Sequence, residues 1–242
     1  MDEIKNKINS TKLSIIIPVY NEKNTIKDIL DKIENQIYIK KEIIIVDDNS
    51  QDGTSDIINK YKFFSEHKIL KHNKNLGKGA SIKTASNHIT GDIVLIQDAD
   101  LEYDPSDYLN LVKPIINQET KIVYGSRLLK HKNETEKNIF VSNFRVFANS
   151  FLTIFSNFLN NQKLTDAHTC YKVFEKNLFL SLNLQEDGFA FCPEVTTKAS
   201  RKKQKILEIP INYFGRSHKD GKKIGFYDGI EAILAIINYR FF

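Results

Sequence analysis

Asp98 and Asp100 stand one residue apart in the acidic run Gln97-Asp98-Ala99-Asp100-Leu101-Glu102. Two carboxylates so spaced in a turn can grip one hard divalent cation, Mg²⁺ or Mn²⁺, which prefers oxygen ligands and keeps positions open for substrate phosphates. A solvated acidic turn is the alternative for a pattern this short. Position argues for the first reading. The apolar run Ile93-Val94-Leu95-Ile96 directly precedes the cluster and reads as a buried strand. The carboxylates then emerge at its C-terminal edge, where open α/β sheets hold their ligands.

The elements that must position this cluster alternate short apolar runs with longer amphipathic segments, the pattern of βα units around a mainly parallel sheet. Strands are expected at 13–17, stopped by Pro18, and at 43–46, 68–70 and 93–96; helices are expected at 24–36, 55–64 and 79–88. Asn24 is the expected cap of the first helix, in which Ile26, Ile29, Leu30 and Ile33 recur at helical spacing. The turn Asp47-Asp48-Asn49-Ser50-Gln51-Asp52-Gly53-Thr54 is rich in residues that bond their own backbone. Strand ends then carry the polar clusters Pro18-Val19-Tyr20-Asn21-Glu22, Val46-Asp47-Asp48 and Asp98-Ala99-Asp100 along one edge of the sheet, a nucleotide cleft in outline. The loop Asn75-Leu76-Gly77-Lys78-Gly79 precedes a helix. Its backbone N–H groups and Lys78 could face phosphate oxygens, a plain helix-initiating turn being the alternative.

A chain of 242 residues, 41% hydrophobic and 27% charged, is enough for one large globular α/β domain with a substantial core. The net charge of +5 suits anionic partners. Nucleic acid is disfavoured among them, because the positive charge is spread along the chain and matches no recognised binding module. Cys170 and Cys192 give neither metal-ligand spacing nor a disulfide framework, which fits a reducing cytosol. No run approaches the ~18 apolar residues needed to cross a bilayer, and Met1-Asp2-Glu3-Ile4-Lys5 lacks the apolar core of a secretory signal, so a soluble or membrane-peripheral protein is expected.

Taken together, the clusters at 18–22, 46–54, 75–79 and 97–103 resemble family 2 glycosyltransferases, and more narrowly the dolichyl-phosphate mannose synthase and polyprenyl-phosphate glucosyltransferase branch. The resemblance continues through Gly125-Ser126-Arg127, Thr165-Asp166-Ala167-His168-Thr169-Cys170-Tyr171-Lys172, Gly215-Arg216-Ser217-His218 and Gly221-Lys222-Lys223-Ile224. It implies a GT-A fold, an α/β nucleotide-binding sandwich with a mixed, mostly parallel sheet, over residues 1–225. It also implies roles. Pro18, Tyr20 and Glu22 would border the base and ribose of a nucleotide-diphosphate sugar of the GDP-mannose or UDP-glucose type, with Val46 and Asp48 beside them. Asp98 and Asp100, with Ala99 between them, would meet the diphosphate and its Mg²⁺ or Mn²⁺. Glu102 stands where mannose synthases usually have Gln, another oxygen ligand, and adds a charge to the metal site. Arg127, Arg216 and Lys222 match basic positions that bind phosphates of donor or acceptor.

The chemistry suits those residue types. Glycosyl transfer breaks the anomeric C–O bond while negative charge builds on the departing diphosphate, and fixed cations stabilise that charge. Losing one such interaction costs on the order of 3 kcal/mol, about a hundredfold in rate. The acceptor decides whether a general base is needed, since a polyprenyl phosphate is already anionic and a sugar hydroxyl is not. Asp166 aligns with an acid of related transferases and is the candidate base for a hydroxyl acceptor. For a phosphate acceptor it would orient acceptor or donor sugar, and a turn or N-cap Asp after Thr165 is the plainer role. Glu194 also matches a family acid, with helix capping beside Pro193 as its rival.

Phe140, Phe144, Phe147, Phe151, Phe155 and Phe158 recur at helical spacing, and Arg145 lies on or beside the same face. Such a stripe is more often core than membrane anchor. A second amphipathic helix is expected at 226–242, after the basic run Lys219-Asp220-Gly221-Lys222-Lys223, which suits an anionic membrane surface at the cytoplasmic face or a membrane-embedded partner subunit. The combined expectation is an inverting, metal-dependent hexosyltransferase acting on a polyprenyl phosphate. Its rivals are transfer to a sugar hydroxyl with Asp166 as base, and a non-catalytic nucleotide-sugar-binding subunit.

Overall fold

A computed structural model describes residues 7–129, 143–215 and 226–242. Among these residues, strands β1 (Lys12–Val19), β2 (Lys40–Asp47), β3 (Glu66–Lys71), β4 (Ile93–Ile96), β5 (Ile122–Ser126), β6 (Lys172–Glu175) and β7 (Ile206–Pro210) form one sheet in the order β3-β2-β1-β4-β6-β5-β7. The pairs β1–β2, β1–β4, β2–β3 and β5–β7 are parallel, while β6 runs antiparallel to both β4 and β5. The expected mixed, mostly parallel sheet is thus present.

Helices cover the sheet: α1 (Ile26–Glu34), α2 (Thr54–Lys60), α3 (Lys78–Ser86), α4 (Tyr108–Ile116), α5 (Asn143–Asn160), α6 (Lys176–Ser181), α7 (Phe191–Arg201) and α8 (Phe226–Phe241). The central strands are buried on both faces, which is why they read as unbroken apolar runs. Leu13, Ile15, Ile16, Ile17, Ile43, Ile45, Val46, Leu95 and Ile96 are all fully buried. The α1 stripe of Ile26, Ile29, Leu30 and Ile33 packs into the same core.

Two local expectations need correction. Strand β1 runs through Pro18 to Val19 instead of stopping at it. The last β1–β4 pair is Ile16–Ile96, and Gln97 N donates to Ile16 O, so the nitrogen of Pro18, two residues on, faces the side where β4 has already ended. Its missing N–H leaves no ladder bond unmade. The first helix is capped from Thr25, not Asn24, and without a side-chain cap bond; the Thr25 hydroxyl instead donates to Glu22 Oε2 at 3.0 Å.

In the described part of α5, Phe151 and Phe158 turn outward and Phe155 is half-buried, contrary to the core expectation for the stripe. The buried face of the helix is polar, made of Thr153, Ser156 and Asn160, while Phe151 is 52% and Phe158 82% exposed, with Ile154 exposed between them. Thr153 Oγ1 accepts from Ala167 N, and Asn160 Nδ2 donates to Ser156 and Thr197 hydroxyls. Helix α8 packs on α7 and α5 through Ala232, Ala235, Ile236 and Tyr239, and leaves Tyr227, Leu234 and Phe241 exposed, with Phe242 exposed just beyond its end. The side chains of Phe140, Phe144, Arg145 and Phe147 lie outside the described residues.

Candidate active site

The C-terminal ends of β1, β2 and β4 open into a cavity of about 370 Å³. Pro18, Tyr20, Glu22, Asp48, Lys78, Asp98, Ala99, Asp100, Glu102 and Arg127 all line it. Val46 does not. It is fully buried and pairs with Pro18 in the sheet, so it supports that residue from the β2 side. Arg216 and Lys222 lie outside the described residues.

Each wall is built by local bonds that the sequence dictates. In the turn after β2, Ser50 N donates to Asp47 Oδ1 and Thr54 N to Asp52 Oδ1, as the Asx-rich composition anticipates. Asp48 turns the other way and ties down the glycine loop: its carboxylate accepts from Leu76 N at 2.8 Å, Gly77 N at 2.7 Å and His72 Nδ1 at 2.7 Å. Gly77 takes a φ of 100°, open to glycine at little cost, and a Cβ there would lie 2.5 Å from Asp187 O. Lys78 is thereby delivered into the cavity at the start of α3. Its Nζ meets Asp98 Oδ1 at 2.5 Å.

The acidic turn is braced from below by Gln97, which is fully buried. Its side-chain oxygen accepts from the hydroxyls of Tyr108 and Tyr171, both at 2.7 Å, and its amide donates to Asp98 O. Leu101 sits at a positive φ of 62°, and Asp100 Oδ1 accepts from Glu102 N. Glu102 is buried and accepts from Tyr213 Oη at 2.7 Å. No group of three or more His, Cys, Asp or Glu side chains among the described residues is arranged to hold a metal ion.

Arg127 and Asp166 form a two-pronged pair. Arg127 Nε donates to Asp166 Oδ2 and Nη2 to Oδ1, both at 2.7 Å, while Arg127 N and Asn149 Nδ2 add bonds at 3.1 Å. Asp166 is fully buried and stands behind Arg127, away from the cavity lining. Burial pushes its carboxyl pKa up, but the Arg127 charge and these bonds outweigh that and hold it at about 2. Burial likewise works against the guanidinium, and Asp166 more than compensates, keeping Arg127 firmly cationic. The Arg127 guanidinium also lies 5.3 Å from the Tyr213 ring centroid, a cation–π contact.

Four further lining residues were given no role by the sequence. His168 and Cys170 come from the loop before β6, Phe189 from the turn before α7 and Cys192 from the first turn of α7. Burial first, then the nearby Lys172 charge, lowers the His168 pKa to about 3, so its ring is neutral at physiological pH. Lys172 itself is fully buried and organises that loop: Nζ donates to Ala167 O at 3.0 Å and Thr169 O at 2.5 Å, and lies 4.4 Å from the Tyr124 ring centroid. Glu194 accepts from Gln185 N, Glu186 N and Lys198 Nζ. It binds the preceding loop rather than capping its own helix, and does not line the cavity.

A family model described as Glycosyl transferase family 2 matches residues 14–182. Over 216 residues the chain is 30% identical to a UDP-N-acetylglucosamine–dolichyl-phosphate N-acetylglucosaminyltransferase of Methanococcus voltae, covering 81% of this chain and 83% of that protein. It is 28% identical over 265 residues to a dolichyl-phosphate beta-glucosyltransferase of Dictyostelium discoideum, covering 99% and 77%. Glucosyl-3-phosphoglycerate synthase from Mycobacterium tuberculosis, solved with Mn²⁺, uridine diphosphate and glucosyl-3-phosphoglycerate, matches with a TM-score of 0.73 at 16% identity, over 98% of this chain and 83% of that one. That match concerns the fold, and it is the GT-A arrangement expected from the sequence.

Proposed function

The chain belongs to glycosyl transferase family 2, and from that membership we propose that it moves a hexose from a nucleotide-diphosphate sugar to a polyprenyl phosphate at a membrane surface, with inversion at the sugar carbon. The observation that carries the choice of acceptor is the Arg127–Asp166 pair. A hydroxyl acceptor needs a base whose pKa lies near the working pH, whereas a lipid monophosphate attacks without giving up a proton. Asp166 is held near pKa 2 by bidentate contact with Arg127, which suits aiming a guanidinium and not abstracting a proton. The dolichyl-phosphate acceptors in the names of both relatives support the same reading.

Asp98, Asp100 and Glu102 would hold the divalent ion. They fit it by donor chemistry, since all three are carboxylates lining one cavity; they are not gathered around a common point, so side-chain rotation would bring them onto the ion, with the remaining positions left to diphosphate oxygens. When bound, Mg²⁺ or Mn²⁺ neutralises the charge that builds on the departing diphosphate. Arg127, rigidly held and cationic, adds a fixed positive charge to the same cavity, and Lys78 supplies a second. Pro18, Tyr20, Glu22 and Asp48 line the same cavity and would border base and ribose.

The outward aromatic face of α5 and the exposed apolar residues of α8 support a peripheral position on lipid, because side chains such as Phe158 and Phe242 find no apolar cover within the described residues. No described helix is long and apolar enough to cross a membrane.

The test is transfer itself. Purified protein with Mn²⁺ or Mg²⁺ is given radiolabelled GDP-mannose, UDP-glucose or UDP-N-acetylglucosamine together with dolichyl or undecaprenyl phosphate. Label is expected to move into the organic phase only when lipid phosphate is present. Transfer solely to sugar hydroxyls, abolished by Asp166→Asn, would overturn the proposal, and no turnover of any donor would favour a non-catalytic binding subunit.

A further inference from the structure

We propose that Lys78 is an internal competitor of the divalent cation: without ligand its ammonium holds Asp98, and it yields only when a nucleotide diphosphate arrives to take over its charge. This inference rests on the metal role given to Asp98 and Asp100 above. Lys78 Nζ lies 2.5 Å from Asp98 Oδ1 and 3.5 Å from Cys170 Sγ. The two charged side chains are 17% and 22% exposed. Contact at that distance engages Oδ1, one of the two oxygens that Asp98 could offer an inner-sphere metal. An entering cation would also stand within a few ångströms of a like charge, in a cavity whose walls exclude much of the screening water.

Lys78 has no easy retreat. The backbone on both sides is clamped to the 186–187 segment: a Cβ on Gly77 would stand 2.5 Å from Asp187 O, one on Gly79 would stand 2.2 Å from Glu186 O, and Ala80 N donates to Asp187 O. The ammonium can therefore move only by side-chain rotation, and the other carboxylates of the cavity are engaged already: Asp48 with the glycine loop and His72, Glu102 with Tyr213, Asp100 with Glu102 N and Glu22 with Thr25. A diphosphate in the same cavity provides an anion to rotate toward. Metal and nucleotide should then bind with positive coupling, each raising the affinity for the other by the same factor. Part of that coupling comes from removing the lysine from the carboxylate, beyond the oxygens the nucleotide itself contributes.

Binding of Mn²⁺ to the full chain, read as the loss of the free-ion electron paramagnetic resonance signal beyond the loss that the same nucleotide causes without protein, separates these contributions. Wild type, Lys78→Met and Lys78→Arg are compared with and without UDP or GDP. Wild type is expected to bind bare Mn²⁺ weakly and about tenfold or more tightly with nucleotide, and Lys78→Arg to follow it. Lys78→Met should bind bare Mn²⁺ about tenfold more tightly than wild type, with its coupling to nucleotide reduced by a similar factor. If Lys78→Met binds bare Mn²⁺ no better than wild type, while wild type still binds it with nucleotide, the competitor role is overturned and the metal role stands. If wild type binds no Mn²⁺ with either nucleotide, the metal role falls and this inference with it. Thermal unfolding verifies that each variant is folded, and Lys78→Gln replaces Lys78→Met if the latter is not.

Discussion

Asp166→Asn keeps the shape of the side chain and removes the charge that aims Arg127. The native carboxylate accepts two guanidinium bonds at 2.7 Å, one bond from Arg127 N and one from Asn149. An amide has only one oxygen, so one guanidinium N–H would face another donor and the buried cation would lose its partner. Breaking a buried pair from one side costs about 3 kcal/mol or more. For a chain of this size that is a fall in Tm of roughly 6–12 °C. The sign of the pH dependence follows from the depressed pKa. With the carboxyl at about 2 against an ordinary 3.8, the folded state prefers the ionised form. That preference contributes roughly 2 kcal/mol above the ordinary value and is lost as pH falls from about 4 toward 2. The gap in Tm between wild type and variant should hold from pH 8 to 5 and narrow below 4. The kcat for lipid-linked product should fall about a hundredfold, because a misaimed cation no longer meets the developing charge, with the shape of the pH–rate profile between 5 and 8 unchanged. A wild-type acid limb near pH 6 that vanishes in Asp166→Asn, with Tm unmoved, would refute this and make Asp166 a general base.

Asp98→Asn and Asp100→Asn should each lower kcat about a hundredfold with little change in Tm, and exhaustive chelation should match them; unchanged turnover after chelation would remove the metal from the reaction. Glu42 is buried and accepts from Ser14 Oγ, Thr90 N, Thr90 Oγ1 and Gly91 N. Burial opposes its ionisation, but these bonds prevail and hold its pKa at about 2 against 4.5. Glu42→Gln should therefore destabilise by roughly 2–3 kcal/mol at pH 7, a difference in thermal unfolding that shrinks as pH falls from about 4.5 toward 2. Phe158→Ser combined with Leu234→Ser, both at exposed positions, should weaken co-sedimentation with anionic vesicles about tenfold or more while hydrolysis of the sugar donor in solution is retained.

The first half of the fold was legible because strands covered on both faces announce themselves as apolar runs, and helix α1 as a clean stripe. Pro18 misled because a ladder gap depends on where the neighbouring strand stops, which no local pattern states. Strand β6 was not legible at all: its first residue is a buried lysine whose charge is met by carbonyls of its own preceding loop. The α5 stripe shows which side chains share a face but not which way that face turns, and its polar opposite side is the buried one. In the cavity, the residues at strand ends were readable from their position after apolar runs. Phe189 and Cys192 were not, since they reach the same space from the turn before α7 and from its first turn, and only the folded chain brings them there. Asp166 was readable as an acid but not as the partner of Arg127, 39 residues earlier.

Strand β6 imposes an order on synthesis. It fills the gap between β4 and β5, so residues 93–96 must wait, with one edge of their backbone unpaired, until residues 172–175 have left the ribosome. At 5–20 residues per second that wait lasts roughly 4–16 s. Throughout it the nascent chain presents Ile-Val-Leu-Ile as an open template for a neighbouring molecule. A truncated chain ending before Lys172 would keep that template permanently, and would be expected to aggregate even though every strand of its parallel half is present.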